Sequence, residues 1–90
     1  GLAPKKNESS YTSIGFGIIS LNTIPDKANV YIDDASAGKS KIFQQILSGR
    51  HTFRIEKEGY ITKYIQETIT EGETLEVNIF LSFSLSESES

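Results

Sequence analysis

Thr74-Leu75-Glu76-Val77-Asn78-Ile79-Phe80-Leu81-Ser82-Phe83-Ser84 is the stretch whose pattern sets the fold class. Leu75, Val77, Ile79, Leu81 and Phe83 share one parity, and Thr74, Glu76, Asn78, Ser82 and Ser84 share the other, with Phe80 the exception. Successive side chains of a β-strand point to opposite faces, so this alternation predicts a strand with one buried and one wet face. The same period recurs upstream. Val30 and Ile32 alternate with Tyr31 and Asp33, and His51, Phe53 and Ile55 with Thr52, Arg54 and Glu56. Ile61, Ile65 and Ile69 share a parity, interrupted by Lys63 and with Tyr64 opposite.

The first strand, about Ile14 to Thr23, changes parity: Ile14, Phe16 and Ile18 agree, whereas Ile19 and Leu21 take the other face. A bulge near Ile18 or Ile19, or a strand that switches sheets, is expected to reconcile them, and Gly15 and Gly17 make a kink cheap. Turn signals separate the runs: Pro25-Asp26, Ala35-Ser36-Ala37-Gly38, Ser48-Gly49, Glu58-Gly59 and Glu71-Gly72. The last three place glycine where a positive φ is expected. Helix has little support; Lys41 to Leu47 fits a short turn or a strand. A turn roughly every ten residues is the cadence of a sandwich or barrel. The expected fold is all-β, a small antiparallel β-sandwich of about six or seven strands.

Ninety residues suffice for one domain with a thin core, leaving few apolar side chains to line a deep cleft. Residues 1–13 are polar and expected to be a flexible linker, 14–83 the domain, and 84–90 a disordered Ser/Glu-rich tail. Polar segments on both sides suit a bead in a string of domains. Without cysteine, neither disulfides nor thiolate metal sites can support the fold. A net charge of −3 and no evident basic patch argue against nucleic acid as a partner. No apolar run is long enough to span a membrane within this chain.

Order and spacing of several anchors give a resemblance. Ile19-Ser20-Leu21-Asn22-Thr23-Ile24-Pro25-Asp26-Lys27-Ala28-Asn29-Val30-Tyr31-Ile32-Asp33-Asp34 resembles the opening of a PEGA domain, named for a Pro-Glu-Gly-Ala turn before a Val-Tyr-Ile-Asp-Gly strand. Gly38-Lys39-Ser40 is similar to that family's Gly-x-Thr-Pro turn, and Leu47 to Ile55 to its Leu-x-x-Gly-x-His segment. Glu58-Gly59-Tyr60 resembles its Gly-Tyr turn, and Gly72 with Leu75, Val77, Ile79 and Leu81 its closing strand. Asp26 and Lys27 depart from the Glu and Gly of the namesake turn, Asp34 from a glycine, and Lys41 from a frequent proline. The resemblance implies a sandwich like carboxypeptidase-regulatory and prealbumin-like domains, found in bacterial and archaeal surface or envelope proteins. It implies structural roles for Pro25, Ala28, Asp33, Gly38, Gly49, Gly59, Tyr60 and Gly72, and carries no catalytic residues and no cofactor.

Other patterns weigh less. Gly38-Lys39-Ser40 ends like a phosphate-binding loop, but Asp33 stands where its first glycine belongs. Gly15-Phe16-Gly17 is half a dinucleotide fingerprint with Ser20 at the third glycine and no helix after it. Asp26, Asp33 and Asp34 lack calcium-loop spacing, and the single His51 excludes a histidine metal cluster within one chain. Ser48, His51 and Asp33 can be written as a triad, with nothing to mark a nucleophile turn; Glu56 and Glu58 are expected on a wet face. Asn7-Glu8-Ser9 matches a glycosylation acceptor, a pattern frequent by chance. Tyr60 is expected as a structural plug bonded to backbone, whereas Tyr31 and Tyr64 lie off parity and are the candidate binding surface for a sugar ring.

The expectation is a non-catalytic, extracytoplasmic spacer or protein-interaction module of a larger envelope or surface protein, its partners neighbouring protein domains. The alternative is a carbohydrate-binding module of a cell-surface protein, with polysaccharide as the partner.

Overall fold

The computed structural model describes residues 15–85. Seven strands follow in order: β1 Phe16–Ile24, β2 Asn29–Ile32, β3 Ala35–Lys39, β4 Ile42–Leu47, β5 Gly49–Glu56, β6 Lys63–Ile69 and β7 Thr74–Phe80. They form two sheets, β4-β1-β7 and β3-β2-β5-β6. All pairs are antiparallel except β1 with β7, which is parallel. Among the described residues no helix is long and apolar enough to cross a membrane. The proposed linker and Ile14 lie outside the described residues, as do Asn7-Glu8-Ser9 and most of the proposed tail.

The core lies between the sheets. Ile19 and Leu21 from β1, Val30 from β2, Phe53 and Ile55 from β5 and Ile69 from β6 are its largest fully buried side chains. Each sits at an alternate position of its strand, because only one face of a pleated strand meets the other sheet. Leu75, Val77 and Leu81 pack against this core, as their parity predicts.

Four expectations need correction. β1 runs from Phe16 to Ile24 without a bulge, with Gly17, Ile19, Leu21 and Thr23 buried in strict alternation. Phe16 and Ile18 belong to the outer face, and the inward position between them is Gly17, which has no side chain to reveal its parity. A Cβ on Gly17 would stand 2.7 Å from Ile69 Cγ2 and from the Thr70 carbonyl oxygen, so only glycine lets β1 approach so closely. Secondly, Ala35 to Gly38 is strand, not turn. The turn is the pair Asp33-Asp34, at φ 51° and 72°, the primed geometry of a two-residue hairpin joining Ile32 to Ala35. The irregularity expected in β1 sits instead between β2 and β3, where the register shifts at Val30/Tyr31. Thirdly, β7 ends at Phe80, and Phe83 is 68% exposed and pairs with Tyr60 in an isolated bridge. Fourthly, Ile61 lies outside β6 and is exposed, so only Ile65 and Ile69 of that series face inward. Gly49, Gly59 and Gly72 take the positive φ expected of them.

The turn from β1 to β2 is pinned from within. Thr23 and Ser40 are buried, and their hydroxyl oxygens lie 2.6 Å apart. Thr23 donates to the Pro25 carbonyl at 2.7 Å, and Ser40 accepts from the Ala28 amide at 2.9 Å. Thr23 has a single hydroxyl proton, so Ser40 is the donor in the pair. Every buried polar side chain there is satisfied, which holds Pro25 and Ala28 against the end of β3.

Candidate functional site

His51 stands on the inward parity of β5, in edge contact with Phe53 at 6.5 Å between ring centroids. Its side chain is 11% exposed. Nδ1 lies 2.5 Å from Asp33 Oδ2, and Nε2 lies 2.7 Å from the Leu47 carbonyl oxygen. Both oxygens are acceptors, so both ring nitrogens donate and the imidazolium is the favoured form. Burial pulls the His51 pKa down, but the bonds to Asp33 and to Leu47 outweigh it and leave it above the ordinary 6.5. The Asp33 carboxyl sits below its ordinary 3.8, first through the Thr52 amide at 3.0 Å and then through His51. His51 thus clasps the β2–β3 turn to the end of β4, across the two sheets.

The same geometry disposes of the Ser48-His51-Asp33 triad. A catalytic imidazole aims its far nitrogen at the nucleophile, and here a main-chain carbonyl holds that nitrogen. The other acid candidates are also dispersed. Asp33 is engaged with His51 and Thr52, and Glu56 accepts from Arg54 Nη1 at 2.5 Å. Among the described residues no group of three or more His, Asp or Glu side chains is placed to share a metal ion.

Tyr31 and Tyr64 come together as a pair flanking one residue. Tyr31 of β2 is in register with Arg54 of β5, which is in register with Tyr64 of β6. The three side chains share the outer face of the four-stranded sheet, with the two tyrosines two strand spacings, roughly 10 Å, apart. Tyr64 is 67% exposed. The Arg54 guanidinium carbon lies 4.0 Å from the centre of the Tyr31 ring, so that face of Tyr31 is already occupied by a cation. Glu56 holds Arg54 in that position. Tyr60, expected as a plug bonded to backbone, is half-buried and stacks on the exposed Phe83, at 4.8 Å and 23° between planes.

A surface missed by sequence reasoning lies on the opposite side. On the outer face of β4-β1-β7, Leu47 pairs with Phe16, Phe43 with Ser20, and Ile24 with Phe80. Phe16, Ile24, Phe43, Leu47 and Phe80 are all exposed large apolar side chains. The signal was present as apolar residues off parity, Phe16 and Phe80, but the sequence did not say that they share one sheet.

A family model described as PEGA domain matches residues 16–84. No curated protein matches the chain.

Proposed function

Because the chain belongs to the PEGA domain family, we propose that it is a non-catalytic, extracytoplasmic module that docks neighbouring protein domains within a larger envelope or surface protein. The observation that carries this reading is the outer face of β4-β1-β7, where Phe16 and Leu47 are exposed at one end, Phe43 midway beside Ser20, and Ile24 and Phe80 at the other end, with Glu76, Asn22 and Asn78 between them. Large apolar side chains exposed on one sheet face among polar neighbours have the make-up of a protein-interaction surface. Phenylalanine and leucine side chains beside a polar rim match the composition of protein–protein contacts. The placement outside the cytoplasm rests on the family alone.

A photo-reactive phenylalanine analogue at Phe43, introduced into the native protein on its own cells, tests the reading. Adducts to protein from Phe43, and none from the same probe at Thr68 on the other sheet, are expected. Equal labelling from both positions, or none from Phe43, would overturn it.

The second reading, a carbohydrate-binding module, draws on the Tyr31–Arg54–Tyr64 row. With one face of Tyr31 covered by Arg54, Tyr64 is the main platform for a sugar ring. Titration with soluble cell-wall fragments should move resonances around Tyr64 and Arg54 if this surface binds sugar, and a motionless spectrum removes it.

A further inference from the structure

Three lysines from three separate segments gather at the end of the sandwich where β1 turns into β2. Lys27 lies in the turn after Pro25, Lys39 ends β3 and Lys57 follows β5; with Asn29 and Glu58 they line an open depression of about 450 Å³. Strand register brings them there. Asn29 pairs with Lys39 on one side and with Glu56 on the other, which sets Lys39 and Lys57 on either flank of β2. The Lys27 amide donates to the Ser40 carbonyl at 3.1 Å, and Lys57 Nζ lies 3.5 Å from the Lys27 carbonyl oxygen.

Two independent features set this cluster apart. The chain carries a net charge of −3, yet none of these lysines forms an ion pair among the described residues. Glu56 is paired with Arg54, and Glu58 is the one carboxylate among the residues that line the depression. In addition, Lys27 sits at φ 60°. A left-handed backbone is unfavourable for a long side chain and free for glycine, so lysine at this position places charge at the expense of backbone comfort. Such strain beside a lysine cluster without ion pairs among the described residues points to a bound anion.

We propose that Lys27, Lys39 and Lys57 form a site for a phosphate or sulfate group. Lysine presents a compact point charge with rotatable donors, and three of them around one depression match a multiply charged tetrahedral anion in charge. The Asn29 side chain adds an amide group to the lining. The group can come from a free ion or from a polymeric phosphodiester, which share this chemistry.

The test is an NMR titration of the 90-residue chain at low ionic strength with inorganic phosphate, sulfate, polyglycerol phosphate and polygalacturonate. Saturable shifts confined to Lys27, Ala28, Asn29, Lys39 and Lys57 are expected with the tetrahedral anions. Tighter binding of polyglycerol phosphate than of inorganic phosphate assigns the site to a polymer, and equal affinity assigns it to the free ion. Lys27→Gly relieves the backbone and should fold at least as well, while weakening binding about tenfold through loss of one charge-assisted contact. Non-saturating shifts spread equally over Arg50 and Lys63, polygalacturonate binding as tightly as the phosphates, or unchanged affinity in Lys27→Gly would overturn the proposal.

Discussion

Asp33 performs two tasks at once, and they set a pH dependence. Its φ of 51° forms half of the hairpin turn, while its carboxylate receives the Thr52 amide and the His51 ring. Asp34, the other half, has an exposed side chain 3.9 Å from Arg54, a contact of little consequence at the surface. The clasp needs Asp33 ionised and His51 protonated. His51 is raised above 6.5, so its contribution is fully present below that value and fades as pH rises through the folded pKa. Asp33 is lowered below 3.8, so its contribution is present above that value and fades as pH falls through the folded pKa. Full stabilisation therefore occupies the interval between the two ordinary values. Thermal unfolding of the wild type and of Asp33→Asn should differ most within that interval, and the difference should shrink as pH rises through the folded pKa of His51 and as it falls through that of Asp33. A difference independent of pH would mean that His51 is held by packing alone.

Among the elements, β1 depends most closely on a single residue. It is the central strand of its sheet, paired with β4 on one side and β7 on the other, and its Gly17 backs directly onto Ile69 at the end of β6 and the Thr70 that follows it. Gly17→Ala forces a methyl group into main-chain oxygen, which cannot turn away as a side chain could. The expected cost is about 1–3 kcal/mol, as for other overpacked cores, measured as a lower urea midpoint with unchanged slope; a midpoint equal to wild type would show that β1 and β6 have room to separate. Gly17 also explains what the sequence could and could not disclose. Alternation exposes a strand's inner face when the inner residues have side chains, as in β5 and β7, and it fails where the inner residue is glycine. Asp33-Asp34 gave a weaker hairpin signal for a similar reason: aspartate tolerates the left-handed region, but without a glycine the pair also reads as a strand end, and Gly38 is the stronger turn signal nearby. Tyr31 and Tyr64 were legible as outward residues because that is a local property. Their shared row with Arg54 was not, nor was the gathering of Lys27, Lys39 and Lys57, because neighbours in a sheet are chosen by non-local pairing.

At the scale of the whole molecule, two phenylalanines of opposite placement separate folding from docking. Phe53 is fully buried between the sheets, whereas Phe43 is 67% exposed on the outer face of β4. Truncating a buried phenylalanine to alanine costs about 3–5 kcal/mol through lost transfer energy and the cavity left behind. A domain of this length is stable by roughly 5–13 kcal/mol, so Phe53→Ala should lose a large share of the folded state's margin. Phe43→Ser removes apolar surface that already faces water and should change the urea unfolding free energy of the 90-residue chain by no more than about 0.5 kcal/mol. The comparison decides what the apolar face is for. If Phe43→Ser is neutral, the fold of the isolated chain does not need that ring, and its exposed surface is available to a partner. If it destabilises the isolated chain as severely as Phe53→Ala, the face belongs to the domain's own packing, and the docking reading loses the observation on which it stands.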